Sequence, residues 1–399
     1  MQRLKLDAVR PILLHPFWVL LSLAGIFIFF FVLNRGGVNV FFWSGGVFLL
    51  VHLINGDYNL STLLPYHWVL LGICAGLVSV SLVFSYAQTD SHRLFRIGQM
   101  LVIVFGIHFI SRTKAVAHIY RLFGGILTVA ILWQFLTRSL LALPYGTWSN
   151  PHYLANFAIL TLPLVFYYFR TLSTPCNLFF LVLFAMDIDP VFRNASRPAF
   201  LALVASTLFV VAFLTRSRYR WIGLLAICGS LVLVGLTNYA GFFDKLKELA
   251  ATLPNEERVH IWKYSIAMLR DNSPAAWLVG NGIGSSLAML PKYALPDPLY
   301  QGFSFQHNFL LQVLFENGLI GTALVCSGLA FLLYLFIKLS RGTGAGPRRL
   351  FINCMTAVFL NCLIFTGLTV GFYSKYSLYP LGFVIGVLFV LAQEVRDEH

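Results

Sequence analysis

Residues 307–338 read HNFLLQVLFENGLIGTALVCSGLAFLLYLFIK, and from Asn317 to Ile337 no charged residue occurs. A helix that crosses a bilayer needs about 20 mainly apolar residues, and this run supplies them. Yet it opens on His307 and Asn308 and carries Gln312 and Glu316. Asn308, Gln312 and Glu316 are four apart, so they share one helix face. Polar groups at membrane depth are costly and normally face a bundle interior or a wet cavity. The spacing therefore predicts a helix that lines a hydrated cleft, with His307 at the rim.

The rest of the chain has the same character. Of its 399 residues, 58% are hydrophobic and 11% charged, with a mean hydropathy of +0.79. A soluble domain carries about 25% charged residues. The fold class implied is an all-α polytopic membrane protein with about twelve transmembrane helices. The expected spans are 12–33, 37–54, 64–85, 95–110, 115–137, 154–170, 175–192, 198–215, 221–238, 308–337, 350–370 and 378–394. No internal repeat or low-complexity tract divides residues 1–399, so a single integral-membrane domain is expected. The first apolar run is too long for a cleavable signal peptide and lacks a small-residue cleavage site. Cys74, Cys176, Cys228, Cys326, Cys354 and Cys362 form no CxxC pair and read as thiols packed among apolar neighbours.

The net charge of +13 comes from basic residues scattered over short loops. That points to a lipid surface or an anionic lipid-linked substrate rather than nucleic acid. Their asymmetry orients the chain. The side holding both termini, the 216–220 cluster and Lys338, Arg341, Arg348 and Arg349 is the richer in Lys and Arg. Both termini are therefore expected in the cytoplasm. The 86–96 stretch, with Arg93 and Arg96, fits poorly as a loop on the opposite side. The 138–153 and 187–197 connections, the long loop 239–305 between the ninth and tenth spans, and His307 all fall on that opposite face.

A structureless loop as long as 239–305 would be unusual. Phe242, Phe243, Leu246, Leu249 and Leu253 recur at helical spacing with charges between them, which predicts an interfacial amphipathic helix. Pro254 ends it. Asn255 reads as the N-cap of a second helix, with Glu256 and Glu257 in its first turn and Val259, Trp262, Ile266 and Leu269 on its apolar face. GNGIGS (280–285) reads either as a tight turn or as a weak phosphate cradle.

The candidate chemistry lies on the same face. His307 has a side chain suited to general-base work near neutral pH. Arg197, in RNASRPAF (193–200), stands where a span leaves the surface, with Pro198 in the first helical turn. Arg197 reads as a snorkelling interface residue or as an anion ligand, and Arg258 as a solvated loop residue or a second ligand. Guanidinium forks match phosphate oxygens. Asp187 and Asp189 could cap a loop or bind a hard cation.

SRPAFLAL (196–203), Arg258 ahead of Trp262, GNGIGS and HNFLLQVLFENGLIG (307–321) together resemble the motifs of the O-antigen ligase/polymerase superfamily of bacterial envelope polysaccharide enzymes. SNPHYLANFAILTLPL (149–164) is similar to the Asn-Pro segment that opens a middle span in that family. The resemblance implies a GT-C-like, membrane-embedded glycosyltransferase without a required metal or other cofactor. The donor would be a glycan on undecaprenyl pyrophosphate, and in the ligase branch the acceptor would be a sugar hydroxyl of lipid A–core. The reaction would belong to lipopolysaccharide biosynthesis, in the bacterial inner membrane with a periplasmic active site. His307 would be the base, and Arg197 and Arg258 would hold the pyrophosphate. Asn308, Gln312, Arg193 and Asn150 would contact substrate. An O-antigen polymerase or a protein O-oligosaccharyltransferase would use the same parts. A secondary transporter would place its site at the midplane between repeats.

Overall fold

A computed structural model describes residues 15–32, 38–56, 63–85, 89–112, 116–141, 150–171, 174–193, 196–215, 256–294 and 306–397, with scattered positions from 221 to 248. The described residues form helices and no strand. They are α1 (Phe17–Phe27), α2 (Val38–Ile54), α3 (Pro65–Ser85), α4 (Ser91–Ser111), α5 (Val116–Leu140), α6 (Pro151–Thr171), α7 (Thr174–Arg193), α8 (Arg197–Phe209), α9 (Glu257–Arg270), α10 (Pro274–Val279), α11 (Ser285–Ala294), α12 (Phe309–Gly342), α13 (Pro347–Leu368) and α14 (Lys375–Asp397). Short π-helical turns, Ile28–Val32 and Val210–Leu214, extend α1 and α8.

Seven of these segments are long and apolar enough to cross a membrane: those of α3, α4, α6, α8 with its π turn, α12, α13 and α14. Helices suit an apolar slab because every backbone N–H and C=O is satisfied within the segment. The protein is thus an all-α polytopic membrane protein. The expected spans from 12–33 to 198–215, and the last three, each coincide with a described helix. The expected span 221–238 lies largely outside the described residues, as does the proposed interfacial helix at 242–253.

Two compact units are distinguished. The first comprises 1–68, 98–150 and 382–399, and the second 69–97 and 151–381. In the first, α1 and α2 pack together, and Ser22 and Ser44 lie 3.1 Å apart across them. Gln99 donates to Asn39 at 2.9 Å. Buried His67 and His108 meet edge to face, with ring centroids 4.4 Å apart.

In the second unit, Ala155, Ala158, Ala199 and Ala202 are fully enclosed where α6 and α8 meet. Small residues let helix backbones approach closely. Buried Asn361 of α13 ties them together: it donates to the Ile159 carbonyl at 2.6 Å and accepts from Ser206 at 2.7 Å. Arg349 donates to the Leu214 carbonyl at 2.9 Å, closing the end of the π turn after α8.

α12 is not one continuous rod. Gly318 departs from helical geometry (φ 63°, ψ −168°) and splits it into a short first segment and a long second one. A rise of 1.5 Å per residue gives the second segment about 36 Å, enough to span the hydrocarbon core. The carbonyls of Phe315 and Glu316, just before the break, accept from the N–H groups of Asn281 (3.0 Å) and Gly282 (2.9 Å). Gly280 (φ 80°) lies so close that a Cβ there would stand 2.4 Å from the Asn317 nitrogen. A helix break needs such partners, because its freed carbonyls would otherwise stay unsatisfied. The GNGIGS stretch is therefore a turn whose donors serve α12. Ile283 N–H is engaged too, by Ser81 Oγ at 2.8 Å.

Candidate active site

Three distant stretches of the second unit meet around His307. Ser196 precedes α8 with its side chain fully buried, and Pro198 occupies the first turn, as expected from the sequence. The Ser196 hydroxyl lies 3.2 Å from Nδ1 of His152, at the start of α6. Arg197 turns toward Glu256 at the head of α9, with an Nη1–Oε2 distance of 3.5 Å and about a third of the arginine side chain exposed (32%). Arg258, in the first turn of α9, is close enough to Arg197, His152 and His307 for its charge to act on all three.

His307 adopts left-handed backbone geometry (φ 48°), which is uncommon for a residue with a side chain and costs free energy. Its neighbours fix that geometry. The Trp262 indole N–H donates to the His307 carbonyl at 3.4 Å. Asn308 is the N-cap of α12, accepting from the N–H groups of Leu310 (3.1 Å) and Leu311 (3.2 Å). The Thr369 backbone carbonyl accepts a hydrogen bond from the imidazole.

The electrostatics suit an anion. Burial, followed by the Arg258 charge, holds the His307 pKa down to about 4; the Thr369 bond works in the opposite direction. Burial likewise lowers the Arg258 pKa, with Glu256 opposing and the Arg197 charge adding to the effect. Glu257 is shifted up by burial and by its neighbour Glu256. Two guanidiniums therefore share a partly dry site with a neutral imidazole, and the carboxylate of Glu256 leans on the more exposed of them. An imidazole that donates one N–H to a carbonyl presents a lone pair on its other nitrogen. An anion placed between the guanidiniums would relieve their repulsion and raise the basicity of that lone pair.

The remaining sequence candidates fall elsewhere. Arg193 is mostly exposed and pairs with Asp189 at 2.6 Å, one turn back on α7. Asn150 immediately precedes α6, two residues from His152. Gln312 is fully buried, and both ends of its amide are engaged: Nε2 donates to Glu316 at 3.0 Å and Oε1 accepts from Phe372 N–H at 2.8 Å.

Gln312 and Glu316 thus do not line a wet cleft. Glu316 is 0% exposed and meets Arg93 Nη1 at 3.0 Å, with Arg93 itself 1% exposed. Ser286 Oγ donates to the same carboxylate. The polar stripe faces the protein interior, where a buried carboxylate needs a charged, hydrogen-bonded partner.

Other expectations are also corrected. The N-cap of α9 is Glu256, in extended geometry, while Asn255 lies outside the described residues. The buried face of α9 is Ile261, Ser265, Met268 and Leu269, with Ile266 exposed. The 187–193 stretch belongs to α7 rather than to a loop. There Asp187 is buried and accepts from Thr161 at 2.5 Å, while Asp189 binds Arg193, so the two acids face different partners. Among the described residues no group of three or more His, Cys, Asp or Glu is placed to hold a metal ion. Sequence reading did not single out His152 or the pairing of Arg93 with Glu316. His152 lies inside the quoted SNPHYLAN segment, and Arg93 had signalled itself by fitting badly as an external loop residue.

Residues 178–326 match the family model described as O-antigen ligase. The match supports placing the chain in the O-antigen ligase superfamily, in agreement with the resemblance carried by its motifs. The matched segment holds Arg197, Arg258 and His307, the GNGIGS turn and the broken start of α12. His152, Arg93 and the Thr369 turn lie outside it. No curated protein matches the chain significantly.

Proposed function

We propose that this chain is an O-antigen ligase that transfers a glycan from undecaprenyl pyrophosphate to a sugar hydroxyl of lipid A–core. The observation that carries the reading is the placement of Arg258 between segments far apart in sequence, where its charge couples to that of Arg197 and acts on His307. In the reaction the acceptor hydroxyl gives its proton to the His307 imidazole, and its oxygen attacks the anomeric carbon. The bond from that carbon to the phosphate oxygen breaks, and the electron pair leaves with the pyrophosphate. Direct displacement inverts the anomeric configuration. Arg197 and Arg258 offset the charge on the leaving group, and fixed cations aimed at developing charge are often the largest catalytic contribution. Asn308 sets the helix start beneath the base.

The reading places the chain in the inner membrane with both termini cytoplasmic and the site on the periplasmic face. Support comes from the Lys/Arg asymmetry. Arg93 is buried against Glu316 and Arg96 donates to the Tyr373 carbonyl at 3.0 Å, so neither counts as a loop arginine against it.

The test is transfer by the purified chain from lipid-linked glycan to lipid A–core, without an ion gradient. His307→Asn removes the base but keeps a side chain that tolerates left-handed geometry. It should lower turnover by about 10²–10⁴-fold with the fold intact; wild-type turnover in that variant refutes the assignment. In a deletion strain, long chains should vanish from the core while polymer persists on the carrier. A single repeat left on the core would instead identify a polymerase.

A further inference from the structure

The turn between α13 and α14 is joined at two points to the first segment of α12 and at a third to His307, just ahead of it. The Thr369 carbonyl accepts from the His307 ring. Phe372 N–H donates to Gln312 Oε1 at 2.8 Å, and Tyr373 OH donates to Asn317 Oδ1 at 2.5 Å. Gln312 is the middle connection and is 0% exposed.

Its amide has only one workable orientation. A carboxylate can only accept and a backbone N–H can only donate. Glu316 therefore takes the NH₂ end of Gln312, which turns the carbonyl end toward Phe372. Glu316 is in turn fixed by Arg93 at 3.0 Å and by Ser286. Arg93 and Glu316 thus determine which way Gln312 points, and Gln312 determines where the Thr369–Tyr373 turn lies.

We propose that Gln312 is a positioning residue for glycosyl transfer: held by the Glu316–Arg93 pair, it anchors the 369–373 turn whose Thr369 carbonyl orients the His307 imidazole. The assignment rests on the reading of His307 as the base. It gives the buried half of the polar stripe a part in the chemistry without contact with substrate. A misplacement of about 1 Å at a reacting group can cost about 10²-fold in rate, so a loosened turn should be felt in turnover.

Two variants of the full chain in detergent test this. Gln312→Met keeps the volume but removes both hydrogen bonds. Gln312→Glu can restore them: paired carboxylates hold a shared proton, so the protonated acid donates to Glu316 while its carbonyl accepts from Phe372. The readouts are transfer kinetics and histidine ¹⁵N NMR, with the His307 signals assigned through His307→Asn.

The methionine variant should lose about 10²-fold in turnover, keep its donor KM and shift the His307 signals. The glutamate variant should regain turnover and the native signals at low pH and lose both as its proton leaves. Lost turnover with unmoved His307 signals overturns positioning by Gln312 while leaving the base intact. Moved signals with wild-type turnover refute the base, and the assignment with it. If the methionine variant does not fold, the glutamate variant decides alone: a pH profile parallel to that of the wild type overturns the proposal.

Discussion

Replacing Arg93 by leucine probes the most enclosed guanidinium among the described residues of the second unit. Its guanidinium stands 3.0 Å from the Glu316 carboxylate. At an effective dielectric of about 20, that separation is worth about 5–6 kcal/mol of attraction. Desolvation of both ions takes back much of it, so the net value of the pair is small, but the loss of one partner is severe. Arg93→Leu leaves the Glu316 carboxylate buried without its counter-ion and should destabilise the chain by about 3–5 kcal/mol. Glu316→Leu should cost somewhat less, about 2–4 kcal/mol, because Asp90 remains 3.7 Å from the guanidinium. The double variant should cost about 1–3 kcal/mol, mainly because Gln312 and Ser286 lose their shared acceptor. The assay is denaturant unfolding of the intact chain in mixed micelles, with the four proteins forming a double-mutant cycle. Single-variant costs below about 1 kcal/mol, or a double variant equal to the sum of the singles, would refute the claim that the two charges depend on each other.

Further expectations concern the site and the turn beside it. His307 is held down to about 4 by burial and the Arg258 charge, and the base must be neutral, so activity is kept above its pKa and lost as pH falls through it. The acid limb of kcat/KM should lie near that value, while that of kcat should lie higher, because bound donor offsets the Arg258 charge; coincident limbs would show no such compensation. Glu256→Gln releases Arg197 from a part-exposed contact worth at most about 1 kcal/mol. Calorimetry with inorganic pyrophosphate should therefore show binding tighter by up to about fivefold, and unchanged or weaker binding refutes the contact's effect. Gly280→Ala forces a Cβ against the α12 backbone at a left-handed position and should cost about 2 kcal/mol or more; a wild-type melting temperature would contradict the interlocked turn.

Much of the helical layout was legible because apolar length is a strong signal. The hydropathy boundaries fell short where polar residues are buried: α4 begins at Ser91 rather than at 95 because Arg93 and Arg96 have partners inside the protein. The same blindness turned Gln312 and Glu316 into cleft residues. Spacing shows that they share a face, but only tertiary structure shows what that face meets. The candidate residues Arg197, Arg258 and His307 could be named from their motifs, whereas His152 could not, since one histidine near a helix start carries no pattern of its own. The break at Gly318 was hidden too, because a glycine within an apolar run is common in membrane helices.

The Arg93–Glu316 pair also sets a constraint on biogenesis, since its members are 223 residues apart in sequence. At about 5–20 residues per second, a ribosome needs about 10–45 s to reach the glutamate after making the arginine. Throughout that interval the nearest carboxylate already synthesised is Asp90, one helical turn away and only 3.7 Å from the guanidinium. The nascent α4 must therefore wait at the insertion machinery, or lean on Asp90, until its permanent counter-ion emerges.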